Sequence, residues 1–397
     1  MKAITFLGTA PYKKVIYEYK DAEGNLSVCE TNLFPEALYK FFQPDEMLVV
    51  VTTDAKNKHF SNLCDRLKGK IDPQPIDIPD GKNADELWSI FDELTQRVDE
   101  DDQVVFDITL AFRYIPFLVF LATAYLRSVK GVKLKAITYG ALEAGSGEKA
   151  PVFDFAPFID LLDWTTCTDK FLKTGAANDL SKMLRDAHSR PYQSSQKIRE
   201  CLPRQLKKTA ARMEEITNAI SLARAEEVMK TAAKMTEQLD VCRQETDRWA
   251  KPFSLLLDKT KNAYAPLALS DPRNDAKKSL TVQLKLLKWY LENEQIIQAS
   301  ILAREWLVSL VAYHTDKDPI GDRECIELML NECANAGKLS KNFMEIEKAK
   351  EIIKLWDRLR NIRNDIAHGG MREQPMPTKR LISNVKEILC SLDSLAP

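Results

Sequence analysis

Toward its C-terminal end the chain reads Arg363-Asn364-Asp365-Ile366-Ala367-His368-Gly369-Gly370, placing one of only four histidines five positions after an arginine and directly before two glycines. A guanidinium, an amide, a carboxylate and an imidazole this close together suit cleavage of RNA through its own 2′-hydroxyl. That reaction needs a group to move protons near neutral pH and a cation to hold the phosphate as charge builds on it. It requires no metal in principle. A second account fits the same residues: His368 ends a helix, where an imidazolium complements the negative end of the macrodipole, and Gly369 is the left-handed cap. Arginine is about one residue in twenty of ordinary sequence, so the Arg–His spacing by itself decides little.

The surrounding composition limits the choices. Of 397 residues, 45% are hydrophobic and 29% charged, as in a folded chain of two or three domains. The formal charge of −1 and pI near 6.5 provide no global positive field, so any RNA contact rests on a local patch. Eight cysteines stand singly, at Cys29, Cys64, Cys167, Cys201, Cys242, Cys325, Cys333 and Cys390. They lack the paired spacing of zinc ribbons or redox motifs and read as reduced thiols of a cytoplasmic protein with no metal site. Met1-Lys2 leads directly into a strand-like run, which is not a signal peptide. The longest apolar run, Ile115 to Leu126 between Arg113 and Arg127, is too short to cross a membrane and reads as a buried helix of an α/β sandwich.

Residues 1–162 alternate short β-rich runs with helical periodicity, which predicts a Rossmann-like domain with a largely parallel sheet covered on both faces. Expected strands are Ala3–Leu7, Met47–Thr52, Val104–Asp107 and Val132–Tyr139, with helices over Phe34–Phe42, Phe60–Leu67, Ala84–Val98 and Ile115–Val129. Val15–Tyr19 and Ser27–Thr31 flank a turn at Asp21 to Asn25 and predict a hairpin. Such sheets bind ligands at the carboxyl ends of their strands. Four segments lie there: Gly8-Thr9-Ala10-Pro11-Tyr12, Thr52-Thr53-Asp54, Asp107-Ile108-Thr109 with Arg113 beyond, and Tyr139-Gly140-Ala141. Their amides and hydroxyls suit a polar or phosphorylated ligand. The same Thr and Asp residues also serve as ordinary turn and cap residues. Gly8 is not followed by the further glycines of a dinucleotide turn, which argues against a nicotinamide or flavin enzyme.

Residues 163–275 read as a charged helical connecting region ending in the turn-rich Asp271-Pro272-Arg273-Asn274-Asp275, and residues 276–397 as a compact all-α domain. The fold class is therefore α/β plus all-α. In the last domain Ile346, Ala349, Ile352, Trp356, Leu359, Ile362 and Ile366 recur at helical spacing and define a buried stripe, with Ser340 as expected N-cap and Gly337 capping the helix before it. Arg360, Arg363, Asn364 and His368 fall off that stripe, Asn364 and His368 one turn apart. A final helix with Leu381, Val385, Ile388, Leu389 and Leu392 packs antiparallel to it. Lys354, Arg358, Arg360, Arg363 and Arg372 concentrate basic charge here, and neither Arg363 nor Asn364 is needed to end a helix.

The order of these parts resembles the CARF–HEPN ribonucleases that accompany type III CRISPR systems, in the branch with an Asp-x-Thr-His-Gly-type CARF signature. The resemblance rests on Leu7-Gly8-Thr9 with Tyr12, on Asp107-Ile108-Thr109-Leu110-Ala111-Phe112-Arg113, on Asp163-Trp164 with Phe171 and Gly175, and on Arg363 to His368. It implies a homodimer or higher homo-oligomer whose paired CARF domains bind a cyclic oligoadenylate, foremost cyclic tetra-adenylate, and thereby activate a composite HEPN site on single-stranded RNA. By that resemblance Arg363, Asn364 and His368 are catalytic. Gly8, Thr9, Ala10, Tyr12, Thr52, Thr53, Asp107, Thr109, Arg113, Tyr139 and Gly140 contact the messenger, and Arg360 and Arg372 contact RNA. No cofactor, metal or membrane is implied. Where the signature has His-Gly this chain has Leu110-Ala111, a departure that changes which oligoadenylate fits or removes cleavage of the messenger in its own pocket. Two rival readings remain: a non-catalytic sensor, and a phosphodiesterase acting on the cyclic ligand in the first domain.

Overall fold

The computed structural model covers residues 1–397 and describes all but 22–23, 146–147, 194–201, 337–342 and 344. Ala22 and Glu23 of the expected turn, Cys201, and the expected caps Gly337 and Ser340 lie outside the described residues. The chain forms two compact units, one built on residues 1–163 and the other on residues 164–193 and 198–397.

In the first unit, strands β1 (Lys2–Leu7), β2 (Val15–Lys20), β3 (Leu26–Thr31), β4 (Glu46–Val51), β5 (Pro73–Asp77), β6 (Gln103–Asp107), β7 (Lys133–Gly140) and β8 (Lys149–Asp154) make one sheet in the order β3-β2-β8-β7-β6-β1-β4-β5. β7, β6, β1, β4 and β5 run parallel, whereas β8 pairs antiparallel with β7 and joins the β2–β3 hairpin to the same sheet. The sheet is thus mixed at one side rather than parallel throughout. β5 and β8 are additions to the expected strands, and both contain proline. Pro73 and Pro75 are tolerated because β5 is an edge strand, while Pro151 of β8 keeps a carbonyl that accepts from the Ala141 N–H at 2.9 Å. Gly140 at the end of β7 pairs with Val152, and the register carries β8, β2 and β3 onward to Lys149, Val15 and Thr31. This part of the sheet therefore extends past the carboxyl edge of the parallel strands.

Alternation along the strands fills both faces. Ile4, Phe6, Leu48, Val50, Val104 and Phe106 pack under α3 (Ala84–Gln96) and α4 (Ile115–Lys130). Ala3, Val105 and Ala136 pack under α1 (Phe34–Phe42), and Leu7, Met47, Val49 and Val51 under α2, residues 53–67. α2 is interrupted by a π-helical turn at Lys56–Phe60. The expectation that Ile115 to Leu126 is a buried helix is corrected here. Ile115, Val119, Ala122 and Leu126 are buried, but the ridge Phe117, Leu121, Tyr125 and Val129 is 76%, 57%, 41% and 59% exposed. Its apolar residues run all round the helix, and the unit supplies cover for one side only.

The first part of α5 (Ala156–Thr174) belongs to the first unit and the remainder to the second. There follow α6 (Asn178–Gln193), α7 (Leu206–Ser221), α8 (Ala225–Trp249), α9 (Lys251–Ser254), α10 (Leu257–Tyr264), α11 (Ala276–Glu292), α12 (Ile296–His314), α13 (Arg323–Ala336), α14 (Ala349–Ala367) and α15 (Thr378–Asp393). The residues expected as a connecting region and as a separate C-terminal domain share one hydrophobic core. Among the buried aromatic side chains Tyr290 bonds across from one to the other, while Tyr264 bonds within the first and Trp306 within the second. Tyr290 Oη donates to the Ile220 carbonyl at 2.8 Å, Tyr264 Oη to that of Phe171 at 2.9 Å, and Trp306 Nε1 to that of Leu280 at 3.0 Å. α12 has the length and hydropathy of a membrane span, but Trp306, Leu307, Leu310 and Val311 on it are buried in this core.

Candidate functional site

Each unit carries one cluster singled out by its sequence. In the first, strand order reverses at β1, whose neighbours are β6 and β4, which is where sheets of this kind take ligands at the carboxyl ends of their strands. All four expected segments meet this edge, but their residues divide into two kinds. Gly8, Thr52, Asp107 and Gly140 are buried and shape the edge, whereas Thr9, Ala10, Thr53, Thr109, Arg113 and Tyr139 retain exposed surface. A side chain on Gly8 would place its Cβ 2.9 Å from the Leu110 carbonyl, and one on Gly140 would come within 2.5 Å of the Tyr17 ring. Tyr12 Oη accepts from the Gly8 N–H at 2.7 Å and donates to the Gly8 carbonyl at 2.9 Å, closing the loop after β1. Burial pushes the Tyr12 phenol up to about 12, so it stays neutral.

Two residues absent from the sequence reading also hold this loop. Lys58 Nζ donates to the Thr9 carbonyl at 3.4 Å, and His59 Nε2 lies 3.0 Å from the Ala10 carbonyl with its ring centroid 4.5 Å from that of Tyr12. Both come from the π-helical turn, whose extra residue re-aims side chains that an unbroken helix would send elsewhere. Arg113 is exposed and makes no ion pair among the described residues, which leaves its guanidinium for an anionic ligand. Leu110, at the position of the signature's imidazole, packs partly into the cores on the α1 and α2 side of the sheet.

Asp107 requires a correction. Its side chain is completely buried in the fold and is taken up by hydrogen bonds within the sheet. It accepts from Thr5 Oγ1 at 2.5 Å and from the Thr109 N–H at 2.8 Å, and Thr109 Oγ1 in turn accepts from the Gly140 N–H at 2.9 Å. Asp107 is thus a positioning group that links β1, β6 and β7. Burial pushes its carboxyl up to about 6, against the pull of the Thr109 and Thr5 hydrogen bonds. A folded pKa above the unfolded one means that the folded chain binds the proton more tightly. The contribution of Asp107 to stability is therefore highest at low pH, falls as pH rises from about 4 to about 6, and levels off above. Asp107→Asn keeps an acceptor for Thr109 and removes this titration. Relative to wild type the variant is expected to gain up to about 3 kcal/mol between pH 4 and pH 7, read as the difference in urea unfolding free energies. Parallel curves for the two proteins across that range would contradict the buried-carboxylate assignment.

In the second unit the hexad Arg363 to His368 occupies the end of α14. His368 is the C-cap residue, and Gly369 and Gly370 are both left-handed, at φ +59° and +73°. The Gly369 N–H donates to the Ile366 carbonyl and the Gly370 N–H to the Asp365 carbonyl, both at 3.0 Å, which is a Schellman closure. The capping account of the glycines is therefore correct, and it leaves the His368 side chain exposed and without a side-chain partner among the described residues. Arg363 is exposed too, its Nη1 3.5 Å from Asn364 Oδ1. Asp365 is buried, accepts from the Met376 N–H at 3.3 Å and lies 3.7 Å from Arg372 Nη1, so it folds the following loop back onto the helix end. Arg360 bonds Asp357 at 2.6 Å and Asn335 Oδ1 at 3.0 Å. Arg360 and Arg372, expected on RNA, thus already have partners inside the unit.

Comparison with known proteins accords with this anatomy. Residues 2–143 match the family model for the CARF domain of the CRISPR system endoribonuclease Csx1, and residues 160–267 match that for the second domain of the CRISPR-associated protein MJ1674. The chain is 24% identical over 328 residues to the CRISPR-associated protein MJ1674 of Methanocaldococcus jannaschii, covering 80% of this chain and 46% of that protein. It therefore spans under half the length of this relative. A solved structure, Enterococcus italicus Csm6 bound to cyclic hexa-2′-fluoro-hexa-dAMP, is 11% identical, with the match covering 100% of this chain and 93% of that one at a TM-score of 0.44. With a Rossmann-like sheet whose residues 2–143 match a CARF model and a helical region that matches the second domain of a CRISPR-associated protein, the chain carries a CARF domain joined to a second CRISPR-associated domain.

Proposed function

We propose that the protein is an endoribonuclease for single-stranded RNA, activated by a cyclic oligoadenylate bound at the carboxyl edge of the CARF sheet. The observation that carries this reading is the pairing of an exposed guanidinium, Arg363, with an exposed imidazole, His368, on a helix end whose capping needs neither side chain. In the reaction the substrate 2′-hydroxyl attacks the adjacent phosphorus and the 5′-oxygen leaves, giving a 2′,3′-cyclic phosphate. His368 moves a proton, Arg363 stabilises the charge on the phosphorane-like oxygens, and Asn364 orients one of them. Csx1, whose CARF domain residues 2–143 match, is an endoribonuclease, in keeping with this chemistry.

The messenger sits against Thr9, Ala10, Thr53, Thr109, Tyr139 and Arg113, with Asp107, Gly8, Thr52 and Gly140 shaping the floor. Arg113→Ala is expected to weaken binding about 10- to 100-fold in calorimetry with cyclic tetra-adenylate, the usual cost of a lost charge-assisted contact to phosphate. Unchanged affinity would remove Arg113 from the pocket. The active form is a homodimer joined through the exposed ridge of α4, so that each chain contributes half of the pocket and half of the nuclease site.

The test is incubation of labelled single-stranded RNA with the protein and a panel of cyclic oligoadenylates. Cleavage that depends on one ring size and yields cyclic phosphate ends is expected. No cleavage with any ligand would leave a non-catalytic sensor. Loss of intact ligand abolished by Thr109→Ala but not by His368→Ala would instead place the chemistry in the first domain.

A further inference from the structure

Two helices of the second unit are joined by a polar ladder that nothing in the hexad itself announces. On α13 Arg323, Glu327, Asn331 and Asn335 recur at every fourth residue, and the matching ridge is Trp356, Arg360 and Asn364 on α14 followed by its C-cap His368. Trp356 Nε1 donates to Asn331 Oδ1 at 2.9 Å, and one turn further along both helices Arg360 Nη1 donates to Asn335 Oδ1 at 3.0 Å. The Trp356 indole is buried, and the guanidinium of Arg304 stacks on it at 4.6 Å while pairing with Glu327 at 2.9 Å. Rungs at two successive turns fix both the rotation and the axial position of α14, because a twist about one rung breaks the other. The ridge that they hold continues without interruption into Asn364 and His368, passing from buried at Trp356 to exposed at His368.

We propose that Asn331 and Asn335 are positioning residues for the Arg363–His368 site, holding the ridge of α14 at the rotation that presents His368 and Asn364 to RNA. This rests on the reading of that site as a ribonuclease centre. Their role differs from that of a core residue, since both side chains act through a single acceptor atom rather than through packing. A group that sets the angle of a reacting imidazole affects turnover more than substrate binding.

The test compares the full-length pair N331A/N335A with N331D/N335D, in which each carboxylate restores the acceptor for Trp356 Nε1 and Arg360. In activated RNA cleavage the alanine pair is expected to lose about 5- to 20-fold in kcat with KM little changed, and the aspartate pair to recover most of it. The chain has only four histidines, so the His368 Cε1–Hε1 NMR cross-peak can be followed separately, and it is expected to move in the alanine pair and return in the aspartate pair. Full kcat in the alanine pair, or activity lost without rescue and without movement of that cross-peak, overturns the proposal. If wild type cleaves no RNA, the ribonuclease reading fails, while the cross-peak still decides whether the ladder sets the helix end. An unmoved peak overturns the positioning role and a moved one supports it.

Discussion

Replacing His368 with alanine is expected to lower activated RNA cleavage about 10²- to 10⁴-fold, the range set by losing a proton-transfer group from a transition state. The fold should not notice. The side chain is exposed and has no side-chain partner among the described residues, and the helix end is closed by main-chain bonds from Gly369 and Gly370. What remains is its interaction with the helix dipole, worth under about 1 kcal/mol at an exposed site. Thermal unfolding of His368→Ala should therefore match wild type while single-turnover cleavage collapses. Arg363→Ala should do the same through loss of charge stabilisation on the phosphate. Arg360→Ala provides the contrast. Its guanidinium is already shared by Asp357 and Asn335, so its loss acts through the rotation of α14 and should cost far less than loss of His368. Undiminished cleavage in His368→Ala would sink the assignment, and equal losses at Arg360 and His368 would point to helix disruption instead of chemistry.

Much of this architecture is legible in the residues themselves, and the exceptions have physical causes. α1 is found over Phe34–Phe42 as expected, because Pro35 in the first turn and an amphipathic stripe mark its start and its buried face. The ends of β1, β4, β6 and β7 also bring Gly8, Thr52, Asp107 and Gly140 to one edge, as alternation of strand and helix requires. β5 and β8 escape notice because Pro73, Pro75 and Pro151 lower strand propensity, and only their neighbours in the sheet make them strands. Asp107 looks like a ligand contact in one dimension because a polar residue at a strand end usually faces solvent. Its burial depends on Thr5, more than a hundred positions away, offering it a hydroxyl. Lys58 and His59 reach the pocket loop through a π-helical turn, which no periodicity rule anticipates. Within the hexad, Asp365 falls on the buried stripe, and its partners Met376 and Arg372 are set by the return of the following loop.

The second large effect concerns α4. In the proposed dimeric, messenger-activated ribonuclease, Leu121→Glu is expected to give a monomer and to abolish stimulated cleavage, both measured at the same micromolar concentration. The ridge Phe117, Leu121, Tyr125 and Val129 leaves four large apolar side chains facing solvent along three turns, and Phe91 carries the patch onto α3, linking Tyr125 at 5.6 Å to the 67% exposed Trp88 at 5.8 Å. Burying each such side chain gains about 1.5–3 kcal/mol, so leaving the ridge bare is costly and a partner of like chemistry is favoured. A second copy fits best because α4 begins directly after Arg113. In the proposed dimer, joining two α4 ridges would set two carboxyl edges side by side, an arrangement suited to a cyclic ligand with repeated phosphates. A carboxylate placed mid-ridge would be desolvated against its own symmetry mate, a penalty of several kcal/mol that raises the dimer dissociation constant about 10³-fold or more. The folded monomer should survive, since Leu121 is 57% exposed within its own chain and its replacement creates no cavity. Sedimentation separates the outcomes. A Leu121→Glu protein that stays dimeric places the interface elsewhere, and one that becomes monomeric yet keeps full stimulated cleavage shows that a single chain holds the whole nuclease site.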